Sequence, residues 1–195
     1  MGMRILKKII ILILSVAALW TVLNFEYVRK NVEYLRRGKT DATPIVQEQE
    51  KIEPNILIIP SLDITVPVKY AERVDENHYQ ELLLDGVVHY PGTAEIGQPG
   101  NAYIFGHSSD NAWSKGHYKT VFALLPKMTA GEEIYISDRE GRKYIYKVFD
   151  ARVVAKNDLS VLSQDTAGRK LLTLQTSYPV GTSLKRFVVV AELMD

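Results

Sequence analysis

Three side chains that could support acyl transfer stand next to apolar segments of the chain. Ser177 follows residues 171–176 and Arg186 precedes residues 187–191. Antiparallel pairing of two such strands would bring these side chains together, although they are nine positions apart. His107 ends a third apolar run. A serine can act as nucleophile, a histidine as acid or base, and an arginine as a stabiliser of negative charge, so the set predicts an acyl-transfer site.

Each of these residues also has an ordinary structural interpretation. Ser177 precedes Pro179 and Gly181, as a serine that starts a turn does. Arg186 alone is typical of a charge at a strand edge, and each of the four histidines alone is typical of a partly exposed polar residue. The hypothesis of a site therefore depends on the three residues as a set.

The elements that must position these residues are short strands separated by turns rich in glycine and proline. We predict strands over residues 55–60, 64–69, 87–90, 102–105, 132–137, 142–155, 171–176 and 187–191. Residues 79–84 are predicted as a short helix or turn, and residues 118–128 as an amphipathic helix from the spacing of their apolar side chains. About eight strands with one or two short helices predict an all-β domain, either a barrel or a sandwich.

Composition excludes several classes of function. The chain has 195 residues, of which 46% are hydrophobic and 24% charged, as in a folded globular protein. Residues 54–195 carry a net charge of −2 without a basic stripe, which argues against nucleic-acid binding. The absence of cysteine excludes disulfides, thiolate metal sites and a cysteine nucleophile. No histidine pair has a metal-ligand spacing, so we expect neither a metal nor a cofactor.

The amino-terminal segment is a candidate membrane anchor. Residues 9–25 carry no charge and would form about 26 Å of helix, close to the hydrocarbon thickness of a bilayer. We predict a cytoplasmic tail over residues 1–8, a single transmembrane anchor over 9–25, a juxtamembrane helix and linker over 26–53, and the folded domain over 54–195. A cleaved signal peptide is the alternative, but its small-residue site would lie inside the apolar run.

Two segments, residues 86–108 and 172–190, resemble the sortase family. The family signature is a strand ending in Gly-His, a later strand reading Thr-Leu-x-Thr-Cys, and an arginine a short way downstream. The resemblance covers roughly residues 54–195, and the apolar segment fits the amino-terminal anchor of the family. The matching residues are Gly106, His107, Thr173, Leu174, Gln175, Thr176 and Arg186.

This resemblance implies a membrane-anchored bacterial transpeptidase with a β-barrel domain outside the cytoplasm. Such enzymes cut the Thr–Gly bond of a C-terminal sorting signal resembling LPxTG in surface proteins, form an acyl-enzyme and pass the acyl group to an amine. His107 would then be the acid and base, Ser177 the nucleophile, and Arg186 the group that steadies substrate and oxyanion. Thr176 and Tyr103 are implied as substrate-binding walls, together with the loop of residues 91–101.

The chain departs from the family pattern at its central residue, because Ser177 stands where the family has cysteine. A thiol with a pKa of about 8.5 can be held as a thiolate, whereas a serine must lose its proton to a base that a carboxylate normally orients. Asp110 is a candidate for that carboxylate. Ser177 could mark an inactive or repurposed sortase, a working serine variant, or a substitution made to trap a complex. A non-catalytic module that binds sorting peptides is the rival function.

Overall fold

Eight strands form a closed barrel in the computed structural model, which describes residues 2–37, 53–109 and 116–194. The strand order around the barrel is β1-β2-β3-β4-β7-β8-β6-β5, and β1 pairs with β5 to close it. The pairs β2–β3 and β4–β7 are parallel, and the others are antiparallel. The strands are β1 (Ile56–Ile59), β2 (Ile64–Tyr70), β3 (Val87–His89), β4 (Gly100–Phe105), β5 (Glu133–Ser137), β6 (Lys143–Ala155), β7 (Lys170–Tyr178) and β8 (Lys185–Leu193).

The barrel closes around a continuous apolar core. Alternate side chains of a strand point to opposite faces, and in β2 the buried Ile64, Val66 and Val68 alternate with more exposed neighbours. β7 contributes Leu172 and Leu174, both fully buried. The prediction of an all-β domain of about eight strands is confirmed, and closure of the sheet decides for the barrel over the sandwich.

In the described part of the chain, three α-helices accompany the barrel: α1 (Gly2–Leu23), α2 (Phe25–Arg37) and α3 (Glu76–Leu83). Within α1, Ile5–Leu23 is long and apolar enough to cross a membrane. The Asp75 carboxylate caps α3 by accepting the His78 N–H at 2.8 Å. Most of the predicted linker, residues 38–52, lies outside the described part of the chain.

The amphipathic helix predicted over residues 118–128 is wrong. This segment consists of turns followed by a short 3₁₀ helix, Leu125–Lys127. Pro126 has no N–H to donate and disfavours the α conformation at the residue before it, so an α-helix cannot run through it. The apolar side chains that suggested the helix, such as Phe122 and Leu125, are nevertheless fully buried.

A buried polar network ties the carboxyl half of the domain to β4. The Asn101 side chain donates to the Val161 carbonyl at 2.9 Å and accepts from the Thr173 hydroxyl at 2.8 Å. Gln164 accepts from the Asn101 N–H at 3.1 Å and donates to the Asn101 carbonyl at 3.0 Å. Because buried polar groups are costly when unpaired, this network holds residues 161–164 against β4 and β7.

We expect Asn101→Ala to lower the free energy of unfolding by about 1–3 kcal/mol, since it leaves the Thr173 hydroxyl and the Val161 carbonyl unpaired. Thr173→Val removes the partner instead and serves as the second arm of a double-mutant cycle. Urea denaturation of the two single variants and the double variant should give less than the sum of the single losses. Additive losses would mean that the Asn101–Thr173 hydrogen bond contributes nothing to stability.

Candidate active site

Ser177 and Arg186 face each other across neighbouring strands. β7 and β8 pair antiparallel, and in their register Ser177 is the direct partner of Arg186. Both strands run beyond the predicted bounds, because Tyr178 still pairs with Lys185. Ser177 therefore lies within a hydrogen-bonded strand and not at the start of a turn, and both side chains are half-buried.

His107 is brought to the same place by the parallel pairing of β4 with β7. The last partners in that register are Phe105 and Gln175, and the Gly106 N–H continues the ladder by donating to the Gln175 carbonyl at 3.1 Å. The Thr176 hydroxyl donates to the Gly106 carbonyl at 2.9 Å. These two bonds connect Gly106 to the two residues that immediately precede Ser177.

Close packing explains why a glycine precedes His107. A Cβ on Gly106 would lie 2.8 Å from Phe122 Cδ2 and 2.9 Å from Val87 Cγ1, both too short for carbon atoms. The Phe122 N–H also donates to the His107 carbonyl at 2.9 Å. The misassigned segment 118–128 thus holds the backbone of His107 in place, although it does so with turns and not with a helix.

His107, Ser177 and Arg186 line one open groove of about 650 Å³. Tyr103 and Thr176 also line it, so the groove brings together all five site residues expected from the sequence. The loop of residues 91–101, expected as part of the wall, is not among the lining residues. Other residues that line the groove include Glu76, Tyr79, Tyr90, Phe105, Gly106, Asp158, Gln175, Gly181 and Ser183.

Arg186 is oriented by its own loop. Its Nη1 donates to the Ser183 carbonyl at 3.2 Å and to the Lys185 carbonyl at 3.0 Å, which anchors one nitrogen of the guanidinium. A planar guanidinium held by one nitrogen still has donors on the others. Arg186 is thereby suited to bind a carbonyl or an oxyanion beside Ser177.

Tyr103 and Thr176 are internally bonded, which limits what they can offer a ligand. Thr176 is buried and its hydroxyl is engaged by the Gly106 carbonyl. The Tyr103 hydroxyl donates to Gln175 Oε1. Burial raises the pKa of Tyr103 above its usual range, and the positive charge of Arg186 acts in the opposite direction. Both residues shape the groove chiefly through the positions of Gly106 and Gln175.

The aromatic wall of the groove was not foreseen from the sequence. Tyr79 on α3 contacts Tyr90 at a ring distance of 5.9 Å and Phe105 at 5.2 Å, and Tyr90 contacts Tyr103 edge-on at 6.0 Å. Burial raises the pKa of Tyr79 to about 12, so its hydroxyl stays protonated. The short helix or turn predicted over residues 79–84 falls on α3, but the prediction did not include the packing of Tyr79 against Phe105.

Among the described residues, two carboxylates line the groove, and both already accept hydrogen bonds from neighbours on their own segments. Asp158 Oδ1 accepts from the Ser160 hydroxyl at 2.6 Å and from its N–H at 3.0 Å, which holds the pKa of Asp158 below its usual value. Glu76 accepts from Gln80 at 2.8 Å. We therefore assign neither the role of orienting His107. The candidate from the sequence, Asp110, lies outside the described residues.

Within residues 2–37, 53–109 and 116–194, no group of three His, Asp or Glu side chains is arranged to hold a metal ion. Ser177, His107 and Arg186 lie on the lining of one groove. The three offer a nucleophile position, a titratable imidazole and a fixed cation on one surface. Together they are suited to acyl transfer on an extended peptide, which an open groove can accommodate.

The comparisons with known proteins agree with this geometry. The sortase C1 of Streptococcus suis is similar over 85% of this chain and 80% of its own, at 22% identity and a TM-score of 0.61. The Clostridium perfringens sortase D5 transpeptidase is similar over 72% of this chain and 78% of its own, at 23% identity and a TM-score of 0.58. No curated protein sequence matches the chain. The sequence model of the Sortase domain matches residues 57–194, and on that match the chain belongs to the sortase family.

Proposed function

We propose that this chain is a membrane-tethered transpeptidase or peptide hydrolase that acts on a C-terminal sorting signal of surface proteins through an acyl-enzyme. The observation that carries the proposal is the direct pairing of Ser177 with Arg186 in the groove that His107 also lines. Family membership supports the reaction class. The sorting peptide and the acceptor amine are the proposed partners, and the proposed reaction needs no cofactor.

In the first half-reaction, the Ser177 hydroxyl oxygen attacks the carbonyl carbon of the scissile Thr–Gly bond, and His107 takes the hydroxyl proton. The carbonyl oxygen becomes an oxyanion that the Arg186 guanidinium stabilises. The C–N bond then breaks, and His107 returns the proton to the leaving amine. The product is an ester between Ser177 and the threonine carbonyl, together with the released carboxyl-terminal fragment.

In the second half-reaction, an acceptor amine attacks the ester carbonyl and His107 takes a proton from the amine. The C–O bond to Ser177 breaks, and the serine oxygen recovers a proton from His107. Water in place of the amine would give hydrolysis by the same steps. Transfer and hydrolysis therefore differ only in which nucleophile occupies the groove.

The serine hydroxyl makes both half-reactions slower than a thiol would. A thiolate can exist before the substrate arrives, whereas the serine oxygen must lose its proton during the attack itself. His107 must therefore act as the base that removes the Ser177 hydroxyl proton. The frame around Ser177 positions the oxygen but does not replace the missing acidity of a thiol.

The rival function is a sortase homologue that binds sorting peptides in the same groove without turnover. Ser177 is the observation that favours it, because all other signature positions are kept while the nucleophile has changed. Such a module would use Arg186 and the aromatic wall for capture only. Peptide binding is common to both functions, so turnover alone separates them.

The proposed location is a single-pass membrane protein with the domain on the extracytoplasmic side. The support is the apolar stretch Ile5–Leu23 at the amino terminus of a sortase-family chain. The charges on the two sides of this stretch are nearly balanced, so they do not set its orientation. The extracytoplasmic side is proposed from the sorting-signal substrate, which surface proteins carry.

We expect Ser177→Cys to raise kcat/KM for a fluorogenic peptide containing Leu-Pro-x-Thr-Gly by about 10²–10⁴-fold, since the thiol removes the need for proton abstraction by a positioned base. The measurement uses the full chain in detergent. Ser183→Cys is the matched control, because it places a thiol on the same groove away from the nucleophile position.

The unchanged chain and Ser177→Ala decide between the two functions. Turnover by the unchanged chain that Ser177→Ala abolishes supports the serine enzyme. Turnover that appears only with Ser177→Cys supports the peptide-binding homologue. Peptide bound but never cleaved, even with Ser177→Cys, would contradict the proposed reaction.

Arg186→Gln in the Ser177→Cys background is expected to lower kcat by about 10²–10³-fold, the usual cost of losing an oxyanion donor. The fall should be larger in kcat than in KM, because the negative charge develops only in the transition state. Arg169→Gln is the control, since Arg169 is an exposed arginine that does not line the groove. An equal effect of the two substitutions would remove Arg186 from the mechanism.

A further inference from the structure

The amphipathic helix α2 is docked on the catalytic domain and is not a free spacer. Tyr27 and Tyr34 pack against the main core, and Lys30 Nζ donates to the Thr120 carbonyl at 2.8 Å. Their spacing of three and four residues places them on one face of α2. Burial of this face lowers the pKa of Lys30. On the exposed side, Arg29 forms ion pairs within the helix.

The start of α2 touches the end of the groove. Asn24 Oδ1 lies so close to Gly181 that a Cβ there would be only 2.9 Å from it. Gly181 and Ser183 line the groove and belong to the β7–β8 loop, residues 179–184. Asn24 follows directly on the candidate membrane span, Ile5–Leu23. A wall of the groove therefore contacts the first residue beyond the span.

The span and α2 are joined by a single turn residue, Asn24. The Asn24 N–H donates to the Trp20 carbonyl at 2.9 Å, and the Val28 N–H donates to the Asn24 carbonyl at 3.0 Å. The Trp20 and Tyr27 rings meet edge-on at 6.2 Å, and such amphipathic rings are enriched at the membrane interface. Only Asn24 separates the span from α2, and the contacts of Asn24 with Gly181 and of Lys30 with Thr120 keep the domain next to the end of the span.

The exposed residues of the β7–β8 loop suit the lipid headgroup layer. Leu184 is 71% exposed, and the exposed Lys185 follows it. Three residues from Gly181, Leu184 lies at most about 10 Å along the chain from the contact with Asn24. A headgroup layer of roughly 5–8 Å on each side of the hydrocarbon is within that reach. An apolar tip beside a cation is the composition that binds an anionic membrane surface.

We propose that the β7–β8 loop is a membrane-contact surface, in which Leu184 enters the headgroup layer while docked α2 holds this end of the groove at the bilayer. The partner is the lipid surface itself. The proposal rests on α1 as the membrane span, as put forward above, and does not depend on whether Ser177 supports turnover. It implies that peptide and acceptor reach the groove along the membrane surface.

The test uses the absence of cysteine from the chain, which allows one labelled position at a time. Leu184→Cys, Leu12→Cys in α1 and Val74→Cys are each labelled with the environment-sensitive dye NBD. Val74 is matched to Leu184 in exposure, at 69%. The full chain is placed in vesicles of phosphatidylcholine and phosphatidylglycerol, with spin-labelled lipids as quenchers. Emission wavelength and loss of emission are measured for each position.

We expect the dye at Leu184 to show a blue shift and to be quenched most by a spin label near the headgroup. The dye at Leu12 should be quenched by a label deep in the acyl chains, and that at Val74 should behave as in water. If the dye at Leu12 is quenched by lipid while the dye at Leu184 behaves as in water, the membrane contact of the β7–β8 loop is contradicted, but α1 is still supported as the membrane span. Leu12 in water would overturn both the anchor and the proposal.

Two further outcomes would also overturn the proposal. A blue shift at Leu184 without quenching by lipid would mean a protein contact, such as a second copy of the chain. Equal quenching at Leu184 and Val74 would mean non-specific adsorption of the domain.

The role of α2 is tested by adding Lys30→Ala to the labelled Leu184→Cys chain. Loss of the bond to Thr120 should reduce the quenching at Leu184, whereas Arg29→Ala, on the exposed face, should leave it unchanged. Unchanged quenching with Lys30→Ala would contradict docking by α2 as the cause. Hydrogen exchange at residues 118–122 reports directly whether α2 has been released.

Discussion

The candidate site depends on β7 being hydrogen-bonded on both of its edges. On one edge the parallel pairing with β4 carries Gly106, and with it His107, to the level of Gln175. On the other edge the antiparallel pairing with β8 sets Arg186 opposite Ser177. A shift of one residue in either register would turn these side chains to the other face of the sheet. Strand register thus brings the three residues to one place, and the segments beside the strands then orient His107 and Arg186.

Much of this arrangement could be predicted from the sequence, because the strands have strong local signals. Alternation of apolar residues and Gly/Pro turns located all eight strands, and the pairing of Ser177 with Arg186 followed from the turn between them. The prediction of a helix over residues 118–128 is wrong because the apolar spacing favours a helix whereas Pro126 prevents one. The wall formed by α3 and the docking of α2 depend on contacts between distant segments, which periodicity does not record.

The contacts that position residue 177 in the groove are distinct from the chemistry of its side chain. The buried Gly106 and Thr176 and the partly buried Gln175 form an internally bonded frame around His107, Ser177 and Arg186. Such a frame gains nothing from a thiol in particular, because none of these contacts involves the side-chain atom of residue 177. Membership of the sortase family and the presence of a serine at residue 177 are therefore compatible with one and the same frame. A change from cysteine to serine at this position, whether for peptide binding or for acyl transfer slower than with a thiol, would require no rearrangement of the barrel.

The parallel pairing of β4 with β7 also has a consequence for folding. The Thr176 hydroxyl and the Gly106 carbonyl that it binds are 70 residues apart, and β8 comes later still. Contacts of such long sequence separation form slowly, because a large loop must close before they stabilise anything. During synthesis, β4 is therefore made long before β7, the strand that carries Ser177 and with which β4 pairs. The groove is complete only when β7 and β8, the last two strands, have been added to the sheet.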